Sequence, residues 1–162
     1  MSVIREAEEG DLRQIVSIMS DRKGLKTDEG DIKRRLNPLF LVYDVEGVAE
    51  AFLAAYSSDF IRKTFSEEER DPFFERALRY PNSAYLDIVA IGNGTDFTVV
   101  APSLVKEMVS RGENISAFYA AIAEHPVENF IAQEFLTGLG ASRVDEILLG
   151  KERFGFYELS SQ

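Results

Sequence analysis

The chain has 162 residues, 45% hydrophobic and 28% charged. That length and balance suit one globular domain, spanning 1–162, with a core of its own. Without cysteine and with a single histidine, a disulfide framework, a thiolate metal site, a cysteine nucleophile and a multi-histidine metal site are all excluded. A net charge of −10 argues against a nucleic-acid or anionic-membrane surface, because both need clustered Lys and Arg. No apolar run approaches the roughly 20 residues of a spanning helix, and MSVIREAEEGDL lacks the basic-then-apolar pattern of a leader, so a cytoplasmic address is expected.

In chain order, Ser2 to Ala7 alternates as a strand, and Leu12, Ile15, Val16 and Met19 then fall at helical spacing up to Lys23-Gly24. A short charged helix starts at Thr27-Asp28-Glu29-Gly30 and stops before Pro38. Leu39 to Asp44 and Val48 to Ser57 are β-rich runs around Val45-Glu46-Gly47, with Gly47 placed for positive φ, and predict a hairpin. Ser66 to Tyr80 opens on an acidic turn, Ser66-Glu67-Glu68-Glu69, and predicts a helix presenting Phe73, Phe74, Ala77 and Leu78. Ala84 to Ile91 is an almost continuous apolar run with one carboxylate, the pattern of a central strand.

After the Gly92-Asn93-Gly94 break, a helix is predicted from about Pro102 to Ser110, then a second apolar strand over Ile115 to Ala123. Pro126 suits the first position of a further helix that closes at Gly138 to Gly140. Arg143 to Leu149 and Arg153 to Leu159 complete a terminal hairpin around Gly150-Lys151. The pattern calls for an α/β (α+β) fold, a mixed and mostly antiparallel sheet with helices on both faces.

This order of elements, with IREAEEGDLRQIVSIM, LVYDVEGVAEAFLAAY and ENFIAQEFLTGLGA at their places in it, resembles the GNAT superfamily of acyl-CoA N-acyltransferases over almost the full length. Asn129, Ala132 and Gly140 fall on the family's spacing after the fifth strand. The resemblance implies an N-acetyltransferase that moves an acyl group from acetyl-CoA or another acyl-CoA to a small-molecule or peptide amine. It implies that the backbone of Val89, Ala90 and Ile91, together with Asn129, meets the pantetheine arm. It also implies that Val99, Val100 and Ala101 occupy the pyrophosphate loop. Three positions depart from the family pattern: Asp96 stands where a cation is expected, Val99 replaces a glycine, and Leu136 replaces the tyrosine that protonates the leaving thiolate in many relatives. An alternative therefore stays open, a GNAT-fold protein without catalysis that serves as a binding or regulatory module, dimerising through its terminal strands.

Acyl transfer to an amine needs proton donors and acceptors near the thioester. Asp87 is the lone charge inside AYLDIVAI, so partial burial would raise its pKa toward a useful range; pairing with an Arg is the plainer alternative. His125, beside Glu124 after the fifth strand, titrates near neutrality and suits either a base or a surface role. Tyr119 offers a replacement phenol or a packed core ring. Asn129 suits either the pantetheine arm or a helix cap. Phe60, Phe65, Phe73 and Phe74 either line a substrate pocket or seat a helix. Lys106, within the helix predicted from Pro102, and Arg111, at its end, are each a candidate to offset Asp96.

Overall fold

A computed structural model describes residues 1–23 and 27–161; Gly24, at the expected end of the first helix, lies outside them. Seven strands form one mixed sheet in the order β1-β2-β3-β4-β5-β7-β6. The contacts gather into two compact units, residues 1–56 with 88–113, and residues 57–87 with 114 onward.

In the first unit, β1 (Ser2–Glu6) pairs antiparallel with β2 (Phe40–Val45), and β2 pairs with β3 (Val48–Ser57). The hairpin turn has positive φ at both Glu46 (53°) and Gly47 (87°), the backbone twist that closes a two-residue hairpin. A 3-10 turn (Glu9–Asp11) leads into α1 (Leu12–Lys23), and α2 (Glu29–Arg35) is capped by the Asp28 side chain, which accepts from the Asp31 amide. Arg5 ties this entry together. Its guanidinium donates twice to the Asp11 carboxylate at 2.8 Å and once to Asp44 at 2.8 Å. Phe40, Leu41, Phe52, Leu53 and Ile15 make the unit's core, with Leu104 and Met108 of α5 (Phe97–Arg111).

In the second unit the amino-terminal part of β4 (Ser83–Ile91) pairs parallel with β5 (Ala117–His125), Ser83–Tyr85 against Ala117–Tyr119. β5 pairs antiparallel with β7 (Glu152–Ser160), and β7 with β6 (Ser142–Leu149). The register puts Phe118, Ala120 and Ile122 on one face with Leu159, Tyr157 and Gly155, and Tyr119, Ala121 and Ala123 on the other with Glu158, Phe156 and Phe154. Partners directly opposite in a ladder share a face, so the two faces carry different chemistry.

Three helices begin elsewhere than the sequence suggests. Within Ser66 to Tyr80 only α4 (Pro72–Ala77) is helical, and another short helix, α3 (Ser58–Thr64), precedes it. Ser57 and Asp71 supply the capping oxygens, to the amides of Phe60 and Phe74. Ser66 only closes a turn with Glu69, and Pro72 takes the first helical position that a proline tolerates. The four phenylalanines seat these helices: Phe65 and Phe74 are buried and 5.3 Å apart, and Phe73 lies 4.9 Å from Phe154. A buried hydroxyl pair joins the same region. Ser58 donates to the Ser83 carbonyl at 2.9 Å, the two hydroxyl oxygens are 2.8 Å apart, and Ser83 donates to the carbonyl of Ala77.

The helix expected from Pro102 starts five residues earlier, at Phe97, so Pro102 lies inside α5. The helix expected from Pro126 is α6 (Phe130–Gly138), and Pro126 instead follows a cis peptide bond after β5. Prolines mark both misplacements because a proline is compatible with a helix start without requiring one. The true starts are set by Asp96 and Asn129, whose side chains reach the free amides.

Candidate functional site

The sequence-derived residues fall into both units, which are taken in turn. In the first, Val89, Ala90 and Ile91 close β4, with Ala90 and Ile91 buried. Gly92 follows them for a steric reason, since a Cβ there would lie 2.7 Å from the carbonyl oxygen of Glu50. Gly94 has φ 85°, and the Thr95 amide donates back to the Gly92 carbonyl, so the glycine pair closes a turn.

At the start of α5, one Asp96 carboxylate oxygen accepts from the Thr98 amide at 3.0 Å and from the Thr98 hydroxyl at 2.7 Å. The Val99 and Val100 amides both donate to the Asp96 carbonyl. Three amides of the first turn are thus already bonded to Asp96, and its negative charge sits on the positive end of the helix dipole. A second carboxylate is close by, with Glu50 Oε2 3.4 Å from the Thr95 hydroxyl.

Val99 is 61% exposed, while Val100 and Ala101 are buried. Neither candidate cation offsets Asp96. At about 1.5 Å per residue, Lys106 and Arg111 lie roughly 14 and 21 Å along the helix from Phe97, and Arg111 is paired with Glu107. A pyrophosphate needs free amides or cations. The residues here do not fit that half of CoA.

In the second unit Asp87 is half-buried on β4. Tyr119 is buried and stacked, 4.3 Å from Tyr80 and 5.3 Å from Phe156 between ring centres. Its hydroxyl donates to Glu158 Oε2 at 2.7 Å. Burial first, and the carboxylate partner second, push this phenol well above the ordinary tyrosine value. Its proton is directed into the Glu158 contact, which makes Tyr119 a packed ring and a poor replacement donor. His125 is exposed at the end of β5 and stands opposite Arg153 in the ladder. Asn129 caps α6, accepting from the Ala132 amide at 3.1 Å, while its own amide returns to the Ala123 carbonyl.

The opposite face of this sheet holds a cluster that sequence reasoning did not assemble. Leu136 of α6 lines a small cavity with Leu86, Phe118, Ala120, Ala141 and Tyr157. Tyr157 is buried, and among the described residues its hydroxyl has no hydrogen-bond partner. Its pKa is raised, first by burial and then by the charge of Glu124, with Arg143 pulling the other way.

The Glu124 side chain is only 10% exposed. It takes two bonds of 2.8 Å from Arg143 and one of 3.2 Å from Arg153, and the Arg143 bond is the leading cause that holds it below the usual carboxylate range. Gly155 makes room for both groups: a Cβ there would come within 2.2 Å of Glu124 Oε2 and 2.9 Å of the Tyr157 ring. A lone glycine inside the strand RFGFYEL was the available signal, since such glycines often mark a close approach. Its partners lie about thirty residues away in sequence, at Glu124, and no local pattern points there.

No family model and no curated protein matches the chain. Solved structures do. They include Ard1 from Thermoplasma volcanium, at TM-score 0.71 and 15% identity over 98% of this chain and 97% of that one. A GNAT-family acetyltransferase from Bacillus cereus follows at 0.70 and 16%, over 99% and 97%. The NatC complex bound to Gag peptide and CoA gives 0.69 and 13%, over 98% of both chains. At these identities the likeness establishes the fold: the chain has the α/β fold of the GNAT N-acetyltransferases from end to end, with a mixed, mostly antiparallel sheet.

Proposed function

We propose that this protein is an N-acyltransferase, moving an acyl group from a thioester donor to an amine. The observation that carries the reading is Tyr157, a largely buried residue that lines a cavity with Leu136 and whose hydroxyl has no hydrogen-bond partner among the described residues. Buried tyrosines normally find a hydrogen-bond acceptor; the Tyr157 hydroxyl, bonded to no described residue, keeps its proton available for chemistry. In the transfer the amine nitrogen attacks the thioester carbonyl carbon, the C–N bond forms and the C–S bond breaks. The departing thiolate takes the proton from Tyr157 Oη, and the phenolate left behind regains one from water. Arg143, opposite Tyr157 in the ladder, eases the transient negative charge, and burial together with the charge of Glu124 keeps the phenol protonated between turnovers. His125, exposed at the end of β5, passes the proton shed by the amine to solvent, with Asp87 the other candidate base.

Acetylation of a panel of primary amines and peptide amino termini tests the reading. Tyr157→Phe lowers kcat by about a hundredfold or more, the scale of a lost general acid, with KM little changed. The pair Tyr157→Phe with Leu136→Tyr, which returns a phenol to the same cavity, recovers part of that loss. Full activity in Tyr157→Phe would remove Tyr157 from the mechanism.

A second reading, a GNAT-fold module without catalysis, is favoured by the Asp96 cap on α5. A wild-type chain that binds no thioester and acetylates nothing in the panel would establish it.

A further inference from the structure

The start of α5 is where the resemblance places the donor's phosphates, and three observations there concern charge and free donors. The Asp96 carboxylate already occupies the helix end, bonded to the Thr98 amide and hydroxyl. The next two amides are used by the Asp96 carbonyl. The adjoining turn carries a second carboxylate, Glu50, against the Thr95 hydroxyl, and the glycines of that turn serve backbone packing and the turn itself.

A phosphate arriving at this helix would meet two negative charges and would have to displace a capping bond worth roughly 1 kcal/mol. A helix N-terminus binds anions only while its amides are free. Here the protein supplies the anion itself.

We infer that the acyl donor is recognised through its acyl-pantetheine arm alone, the phosphate-bearing half of CoA adding nothing to its binding. This rests on the acyl-transfer reading and specifies its donor class: thioesters of pantetheine, whatever lies beyond the arm.

Calorimetry on the full chain with CoA, pantetheine and 3′,5′-ADP provides the test. CoA and pantetheine bind with dissociation constants within about threefold of each other, and 3′,5′-ADP at ~1 mM gives no heat. Asp96→Asn keeps the cap, because Asn serves as well as Asp, yet removes the charge. It tightens CoA by about three- to tenfold and leaves pantetheine unchanged.

A CoA affinity thirtyfold or more above that of pantetheine, roughly 2 kcal/mol, would overturn the inference while leaving acyl transfer standing, as would measurable 3′,5′-ADP binding. Failure of both CoA and pantetheine to bind at ~1 mM would overturn the acyl-transfer reading itself.

Discussion

Substituting Gly155 by Ala tests how tightly the Glu124 cluster is built. The added Cβ would sit 2.2 Å from Glu124 Oε2, 2.9 Å from its Cδ and 2.9 Å from Tyr157 Cε1. At the shortest of these the carboxylate has to leave, and it is held in place by Arg143 and Arg153. Overpacking of this kind costs about 1–3 kcal/mol. The two ion pairs, whose arginines are almost half exposed, contribute about 0.2–1 kcal/mol each.

The expected loss is therefore about 1.4–5 kcal/mol, a fall in Tm of roughly 3–20 °C at ~2–4 °C per kcal/mol for a chain of this size. Urea unfolding of Gly155→Ala, Glu124→Ala and the double variant measures it. Removing the obstructing carboxylate should make the added methyl tolerable, so the double variant is more stable than the sum of the single effects by about 1 kcal/mol or more. Strict additivity, or a Gly155→Ala cost below about 0.5 kcal/mol, would refute the steric account.

The Arg5–Asp11 contact predicts a pH signature. Asp11 is held below its usual range, first by its bond to Arg5. Its stabilisation is then complete above the unfolded carboxylate value of about 3.9 and is lost as pH falls through the folded value. The urea midpoint gap between wild type and Asp11→Asn should be widest at neutral pH and shrink below pH ~4; a gap independent of pH would count against it. Tyr119 gives the opposite limb, since its folded value is raised: its contribution is present below pH ~10 and lost as pH rises beyond. In an alkaline absorbance titration, Tyr119→Phe should delete part of the latest phenolate step, and an unchanged last step would contradict the Glu158 contact. Ser58→Ala should cost about 1–2 kcal/mol in urea unfolding by leaving buried polar atoms short of a partner.

Strands were legible because their signals are local. The hairpin turn at Gly47, the apolar run ending at Ile91 and the terminal hairpin at Gly150 each carry their evidence within a few residues. Helix starts were less so, because caps compete. Pro102 and Pro126 satisfy the rule for a first helical position, but Asp96 and Asn129 own side-chain oxygens that reach free amides, and those set the boundaries. In the candidate site, Asp96, Val99 and Leu136 marked departures from the family pattern directly in the sequence. What took their place did not show. In sequence Tyr157 is one more aromatic on a terminal strand, and only pairing of β5, β6 and β7 brings Glu124, Arg143, Gly155 and Tyr157 onto one face.

The buried hydroxyls of Ser58 and Ser83 have a bearing on how the chain finds its pairing. β4 opens the run Ala84-Tyr85-Leu86, apolar on both faces, and such a strand gains almost as much by sliding one position along its neighbour as by stopping at the right one. Ser83 removes that freedom. In the native register its hydroxyl meets Ser58 and the carbonyl of Ala77, and a slip of one residue would turn it to the opposite face and strand three polar atoms in a dry interior. The small polar pair thus acts less as a source of stability than as a ruler, setting where the strand that serves both compact units begins.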